Sequence, residues 1–277
     1  MPAGTVTMMS ATDVDFACTQ CAKCCHDLRL PLTIDEAIEW LARGGAVEIL
    51  CEAMPWLAEP PKHDIGAAHK RRRSFAASSG ELPIRVIAIL TAAFAGPCPN
   101  LQNDNRCGIY AERPLVCRIY PAEINPSVVF DSSHKACPSE AWATGLPPLV
   151  RAGRLVDART VELIERSRET DANEVPLKAQ LCRALGIDRA AISNEGFVVY
   201  SPPADRLLEA LQAARQRASA ASVSPRLDAS ESRWRLVSNR TASVAALAAV
   251  GAQGEFADTA STPSGSFGYL PLGDSTG

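Results

Sequence analysis

Apolar residues recur at helical spacing near the start of the chain, at positions 34, 37, 38 and 41. Thr33 precedes this run and Glu36 stands three positions later. This is the pattern of a capping box, in which each side chain binds the backbone N–H of the other residue. Gly44 and Gly45 follow the run and disfavour a continued helix. The pattern therefore predicts a helix that begins after Thr33 and ends before Gly44.

Helical periodicity also marks the second half of the chain. Apolar positions recur in this way over residues 157–170, 176–186 and 203–218. A further short helix is predicted near residues 243–250. These segments indicate a C-terminal half that is mainly helical.

Strand patterns are fewer. Residues 82–94 are apolar and β-branched at their start, which predicts a strand that runs into a buried segment. Residues 197–200 predict one short strand. Residues 46–57 fit either a strand or a helix, and residues 58–80, which carry several turn-forming residues, predict a loop or a hairpin.

The middle of the chain has a different composition. Residues 96–140 are rich in Cys, Pro, Asn and Asp, which form turns rather than regular elements. Their shape must come from something other than hydrophobic packing, and bound metal would supply it. The expected fold class is α+β: a small irregular, metal-stapled cysteine-cluster domain with a helical C-terminal part and a disordered tail. The expected domains are a disordered leader at 1–15, a cysteine-cluster metal-binding domain at 16–140, a mainly helical extension at 141–219 and a low-complexity, disordered tail at 220–277.

Composition and charge narrow the classes of function. The formal net charge of −3 argues against a general nucleic-acid-binding protein, which is normally basic. No apolar run approaches the roughly 20 residues needed to cross a bilayer, and residues 1–15 lack the basic start and apolar stretch of a secretion signal. We therefore expect a cytoplasmic protein with neither nucleic acid nor a membrane as its partner. In a reducing cytoplasm, clustered cysteines hold metal or carry out redox chemistry more often than they form disulfides.

Four of the ten cysteines form a dense group, C-x2-C-x2-C-C, at Cys18, Cys21, Cys24 and Cys25. A C-x2-C step brings two sulfurs within reach of one ion, at about 2.3 Å each for zinc. The spacing differs from a ferredoxin-type run, which needs its fourth cysteine where Leu28 stands. The adjacent Cys24 and Cys25 would strain a single tetrahedral site. The adjacent pair favours an arrangement in which the two cysteines bind two different metal ions. The alternative is that one cysteine binds metal and the other supports it.

A second group of four cysteines follows in turn-rich surroundings. Cys98 begins C-P-x-L, Cys107 begins C-x-I-Y, Cys117 lies within R-P-x-x-C-R-x-Y-P and Cys137 precedes a proline. Four plus four thiols suffice for two four-coordinate sites or for one larger cluster. Zinc and iron–sulfur clusters both accept four thiolates, so the residues leave the metal open. The candidate metal ligands are Cys18, Cys21, Cys24, Cys25, Cys98, Cys107, Cys117 and Cys137.

In their types and order, these motifs resemble the YkgJ-type CxxCxxCC cysteine-cluster family over roughly residues 16–140. The resemblance implies a domain that chelates zinc or iron, as mononuclear ions or as an iron–sulfur cluster, through the eight cysteines named above. Metal ions are therefore the expected partners. Flagellin lysine N-methylases are relatives within the broader group, which implies two enzymatic alternatives: an S-adenosylmethionine-dependent protein lysine methylase-like enzyme or an Fe–S oxidoreductase.

The residues themselves do not decide whether the protein is an enzyme. No G-x-G-x-x-G loop supports methyl transfer from a nucleotide-like cofactor. A third hypothesis is a regulatory protein that binds a protein partner, with the Ala- and Ser-rich tail as a tether. Metal binding ranks first among the three.

Several residues outside the motifs have a simpler structural interpretation. Cys51 and Cys182 lie in apolar segments and are expected in the core rather than at the metal. His26 and His134 lie close to motif cysteines, where a surface position or a supporting hydrogen bond is more typical than ligation.

The remaining candidates would support the cluster. Of Arg113 and Arg118, which flank Cys117, Arg118 is the guanidinium expected to offset the negative charge of a four-thiolate site. Tyr110 and Tyr120 are expected to pack against the cluster and hold Cys107 and Cys117 in place. The basic run at residues 70–73 is expected to be a solvated loop.

Overall fold

The computed structural model describes residues 13–220, 234–257 and 267–272. The helices in this part of the chain are α1 Ile34–Ala42, α2 Ile65–Arg72, α3 Leu115–Ile119, α4 Ala158–Asn173, α5 Val175–Leu185, α6 Ala204–Ala220 and α7 Thr241–Ala249. The strands are β1 Val14–Asp15, β2 His26–Leu32, β3 Val47–Pro55, β4 Phe75–Ser79, β5 Leu82–Pro97, β6 Pro148–Arg151, β7 Arg154–Leu155, β8 Arg189–Ile192, β9 Gly196–Tyr200, β10 Arg235–Ser238, β11 Gly254–Phe256 and β12 Gly268–Pro271. Helices and sheets are mixed, which confirms the α+β class.

The described residues form two compact units. We call residues 13–27, 95–124 and 128–167 the cysteine unit. We call residues 28–94, 125–127, 168–220, 234–257 and 267–272 the sheet unit. Every helix in these ranges is too short or too polar to span a bilayer.

The sheet unit is built on a sheet of nine strands among the described residues. Its main order is β11-β10-β8-β3-β5-β2, with β9 also on β3, β12 on β9 and β4 on β5. The strands β3 and β5 form its centre, antiparallel from Val47 opposite Ala92 to Pro55 opposite Ile84. The strands β3, β8, β10 and β11 run parallel to their neighbours in that order. The sequence pattern of residues 46–57 fitted either a strand or a helix. These residues contain strand β3, whose backbone pairs with β5.

The core of the sheet unit is apolar and large. On the central strands Ile49, Val86 and Leu90 are almost completely buried. On α6, Leu207, Leu211 and Ala214 are fully buried and recur at the spacing of one helix face. This helix packs against α1 and α5. Periodicity thus predicted this helix correctly.

The first helix has the predicted capping box. The Thr33 side chain accepts a hydrogen bond from the Glu36 backbone N–H at 3.2 Å, and Glu36 accepts one from the Thr33 backbone N–H at 2.9 Å. A further carboxylate, that of Glu174, accepts from the Ile34 backbone N–H at 2.8 Å. Three of the donors that a helix leaves unpaired at its N-terminus are satisfied in this way.

Buried charges tie helices α4 and α5 together. Lys178 is 6% exposed at its side chain and lies 2.7 Å from Asp171 and 3.2 Å from Glu174. Arg73 also pairs with Asp171, at 2.8 Å. Burial raises the pKa of Asp171, but Lys178 and Arg73 outweigh this effect, and the pKa ends below its ordinary value. Burial also raises the pKa of Glu174, and there the effect of Lys178 does not reverse it.

The cysteine unit has much less regular structure. Its sheet has three short strands in the order β1-β6-β7 within the described residues. Its one hydrophobic cluster consists, in the same ranges, of Ile119, Leu163 and Ile164 with partly buried neighbours around them. Between β5 and β6 the chain makes turns, three short 3₁₀ turns and the one-turn helix α3. Turn-forming composition predicted this irregularity.

The structure differs from the sequence-based expectation between residues 58 and 80. The predicted hairpin is present, because β4 pairs with β5 through a turn in which Gly80 has a φ of +57°. A Cβ there would lie 2.1 Å from the Gly251 carbonyl oxygen, so only glycine fits. The solvated basic loop, however, is a helix. Asp64 caps α2 by accepting from the Ala67 N–H at 2.8 Å, and the basic residues occupy its last turn, where they complement the helix dipole.

The C-terminal expectations also differ from the structure. The extension at 141–219 contains four strands besides its helices. In the tail, Leu236 and Val237 of β10 are fully buried between β8 and β11, and α7 confirms the predicted short helix. A strand of four residues with only two apolar side chains, Leu236 and Val237, suffices when partners exist on both sides, and average composition hides it. The remainder of the leader and tail, residues 1–12, 221–233, 258–266 and 273–277, lies outside the described residues.

Candidate metal centre

The first four motif cysteines lie on an irregular segment between β1 and β2. Gln20 and Ala22 have positive φ angles of 54° and 62°, which side chains disfavour. The Cys25 N–H donates to the Ala22 carbonyl at 2.8 Å and closes a tight turn. Successive backbone N–H groups in such turns form concavities that bind anions, and many iron–sulfur sites use them. This backbone suits a loop that presents thiolates.

The next two cysteines lie on a turn that is bonded to this loop. The Cys98 N–H donates to the Cys25 carbonyl at 2.7 Å. Leu101 and Cys107 form an antiparallel bridge, and the Gly108 N–H donates to the Asn100 carbonyl at 2.7 Å. Backbone bonds therefore bring Cys25, Cys98 and Cys107 together, although 72 positions of sequence separate the first two.

Cys117 is positioned by helix α3. Ile119, two residues later, is 1% exposed in the hydrophobic cluster of this unit. Burial raises the pKa of Cys117 to about 12, the Arg113 guanidinium opposes this rise, and the thiols of Cys98, Cys24 and Cys107 add to it.

Cys137 is held by Tyr120. The Tyr120 hydroxyl accepts from the Ala136 N–H at 3.0 Å and hydrogen-bonds the Cys137 thiol. Burial raises the pKa of Cys137, the Tyr120 bond lowers it, and the thiols of Cys24, Cys21 and Cys18 raise it further.

The adjacent pair Cys24 and Cys25 is in direct contact. The Cys24 thiol donates to the Cys25 sulfur, and this bond, with burial in addition, raises the pKa of Cys24 well above its ordinary range. The same bond lowers the pKa of Cys25, against burial and the thiols of Cys117, Cys98 and Cys107. All eight candidate ligands belong to the cysteine unit, and backbone contacts bring Cys25, Cys98 and Cys107 together.

The sulfur ligands are of the type that fits zinc or iron, but the side chains are not arranged closely enough to hold an ion. Soft thiolates are the ligands that both metals accept in four-sulfur sites, and all ten cysteines are free thiols. Within residues 13–220, 234–257 and 267–272, however, no group of three or more His, Cys, Asp or Glu side chains has an arrangement that could hold an ion. The thiols must therefore lose protons and close in on a metal when they bind it.

The structure reassigns two supporting roles. The guanidinium that acts on the thiols of Cys24 and Cys117 belongs to Arg113, where the sequence had favoured Arg118. Tyr110 stacks on Arg113, with 3.7 Å between the guanidinium carbon and the ring centroid, so its contact is with the cation. Tyr120 supports Cys137. Side-chain direction decides these contacts, and spacing along the chain does not reveal it.

The remaining candidates lie away from the thiols or act through the backbone. His134 is 82% exposed at its side chain and lies 3.6 Å from Asp131. His26 bonds the Ala22 carbonyl at 3.1 Å and so supports the loop. Cys51 and Cys182 are buried in the sheet unit, as their apolar surroundings indicated. Their thiols hydrogen-bond to each other, which together with burial raises the pKa of Cys51.

The fold and the thiol neighbourhood define a cysteine-cluster domain joined to a mixed sheet. Residues 17–138 match the model of the CxxCxxCC family, whose description is "Putative zinc- or iron-chelating domain". The family resemblance inferred from the motifs is thereby confirmed for these residues, which include all eight motif cysteines. The comparisons found no matching curated protein and no matching solved structure.

Proposed function

We propose that this protein chelates zinc or iron through the thiolates of the eight motif cysteines. The observation that carries the proposal is the meeting of cysteines from separate stretches of sequence: the Cys98 N–H donates to the Cys25 carbonyl at 2.7 Å, and the bridge of Leu101 with Cys107 adds a third cysteine to the same turn. The family description supports the same chemistry. The metal is a mononuclear zinc or iron ion or an iron–sulfur cluster.

The electrostatics of the cluster explain why a metal is needed. Burial and neighbouring sulfurs raise the pKa of Cys98 and Cys117, so the metal-free thiols stay protonated near neutral pH. A metal ion displaces the protons of the thiols that bind it and holds the resulting thiolates around a common cation. The Arg113 guanidinium beside Cys24 and Cys117 offsets part of the negative charge that remains.

The test is elemental analysis with a visible spectrum on full-length protein prepared without oxygen. We expect zinc, or iron with the absorbance of an iron–sulfur cluster, in stoichiometric amount. The double variant Cys98→Ser, Cys117→Ser should lose metal, because both thiols lie in the cluster. The matched control Cys182→Ser should keep it, because that thiol lies in the sheet core. Metal-free wild-type protein, or loss of metal in the control alone, would contradict the proposal.

The free state of all ten cysteines supports a reducing compartment such as the cytoplasm as part of this proposal. An Fe–S oxidoreductase, a lysine methylase-like enzyme and a partner-binding protein rest on the family resemblance or on composition. Metal chelation is the proposal that the thiol contacts and the family description both support.

A further inference from the structure

We propose that Ser193 of the sheet unit is a nucleophile that hydrolyses small acyl esters, with Glu52 as its general base and Lys70 as the cation that stabilises its oxygen. The Ser193 hydroxyl donates to a Glu52 carboxylate oxygen at 2.8 Å and accepts from the Lys70 ammonium group at 3.1 Å. A serine hydroxyl between an accepting carboxylate and a donating cation has the contacts of an activated nucleophile. All three side chains lie in the sheet unit, so this activity does not require the metal.

The backbone of the sheet holds the serine beside the carboxylate. Strands β3 and β8 are parallel neighbours, with Glu52 opposite Ala191 and Ala53 opposite Ile192. The Ser193 N–H donates to the Ala53 carbonyl at 2.8 Å, which extends this pairing by one more hydrogen bond. The backbone is therefore fixed on both sides of the contact between nucleophile and base, and groups that are positioned in advance lose little freedom in the reaction.

Lys70 reaches the serine from helix α2. Its ammonium group also donates to the Asn194 side-chain oxygen at 3.4 Å, so two contacts hold it beside the Ser193 hydroxyl. A cation at this position stabilises negative charge on the serine oxygen when its proton leaves. Ser193, Glu52 and Lys70 are each half-buried, which leaves the cluster in contact with solvent and open to a small substrate.

The cluster also lies where sheets with parallel strands commonly bind ligands. Ser193 directly follows the carboxyl end of β8, which runs parallel to β3 and β10. From β8 the chain turns back to β9 beside β3, whereas from β10 it crosses through α7 to β11, on the other side of β8. The connections therefore diverge between β8 and β10. Outside the carboxyl ends of the strands at such a point, open α/β sheets bind their ligands.

The three groups suffice for a two-step hydrolysis. The Ser193 oxygen forms a bond to the carbonyl carbon of the ester, and its proton passes to the Glu52 carboxylate. The bond to the leaving alcohol then breaks, and the alcohol takes that proton. Water attacks the acyl group on Ser193 and gives a proton to Glu52, the carboxylic acid leaves, and the proton returns to the serine oxygen. Ester and water thus become acid and alcohol with no further reactant.

A covalent probe tests the nucleophile in the full-length wild-type protein. A fluorophosphonate, which phosphonylates nucleophilic serines with loss of fluoride, should modify Ser193, as read by peptide mass spectrometry. Ser201 is the matched control on the same sheet unit, because its hydroxyl contacts the Glu48 carboxylate only at 3.4 Å. It should stay unmodified. An unmodified Ser193, or equal modification of both serines, would overturn the proposal, and neither result depends on the folding of a variant.

Turnover of p-nitrophenyl acetate tests the base and the reaction. The rate is measured in the steady state, after any stoichiometric acylation of cysteine thiols. Glu52→Gln should lower it by at least about 10²-fold, the usual contribution of a general base, and Ser193→Ala should lower it at least as far. Ser201→Ala should keep the wild-type rate. Steady-state turnover that is absent from wild type or unchanged in Ser193→Ala would show that the cluster only ties α2 to the sheet.

Discussion

The two units of this protein are stabilised by different means. The sheet unit buries long apolar strands and helices, with Ile49, Val86 and Leu211 almost free of solvent contact. The cysteine unit buries one small cluster around Ile119 and Leu163 and leaves most of its thiols half-buried. Small units with little apolar core need cross-links, and bound metal is one of them. The difference shows that one chain can combine a unit with a large apolar core and a unit with a small one, and the second is the unit that we expect a bound metal to stabilise.

Metal removal should have the largest effect and should separate the two units. Structural zinc contributes about 10–16 kcal/mol in small zinc-dependent folds, so chelation should disorder residues 98–137 and leave β3 and β5 protected. Hydrogen exchange followed by mass spectrometry on the full chain, with and without chelator, measures both regions at once. Equal loss of protection in both units, or in neither, would remove the distinction between them.

Breaking the buried charges should have the next largest effect, confined to the sheet unit. Lys178→Met leaves the Glu174 carboxylate without its buried cation, while Asp171 keeps Arg73, and should cost about 3 kcal/mol of unfolding free energy. Urea denaturation measures this loss, and elemental analysis should show unchanged metal content. As a control, Arg71→Met removes an exposed pair with Glu59 and should have a much smaller effect. A similar loss for both variants would indicate that burial is not the cause.

Removing the helix cap should have a smaller effect in the same unit. Thr33→Ala deletes the acceptor for the Glu36 N–H and should lower the free energy of unfolding by about 1 kcal/mol. Thr33→Ser restores a hydroxyl at the same position and should retain most of the stability. If the serine variant is as unstable as the alanine variant, the capping bond does not supply the stabilisation.

The smallest expected effect depends on pH. Burial lowers the pKa of His69 from 6.5 to about 4, with Arg73 and Arg168 adding to it. The folded state therefore favours the neutral ring. The resulting stability is complete above the unfolded pKa and is lost as the pH falls from about 6.5 toward 4. Since the ring is half-buried, we expect at most about 1 kcal/mol after allowance for solvent screening.

Unfolding curves of wild type and His69→Gln between pH 4 and 7 test this prediction. The difference in stability between the two proteins should change with pH across this range. The exposed His63 provides the control, because His63→Gln should keep the wild-type profile. A His69→Gln profile parallel to wild type would show that this histidine does not carry the dependence.

Local sequence patterns predicted much of the secondary structure. They failed where an element depends on hydrogen bonds with strands that are distant in the sequence. The capping box of α1 and helix α6 follow from spacing alone, because a helix satisfies its hydrogen bonds within one segment. Strand β10, by contrast, has four residues and depends on β8 and β11 for its hydrogen bonds. Helix α2 has hardly any apolar stripe, so only its cap at Asp64 and its basic end marked it.

By itself the sequence determined the candidate ligands of this protein: eight cysteines at motif spacing, which lie within a family match over residues 17–138. Only the tertiary structure decided which thiols are neighbours, that Arg113 is the cation beside them, and that residues beyond 234 complete a sheet. The physical reason is the length of chain on which each property depends. Side-chain chemistry and helical spacing are properties of short segments, whereas the meeting of Cys25 with Cys98 depends on the path of every residue between them.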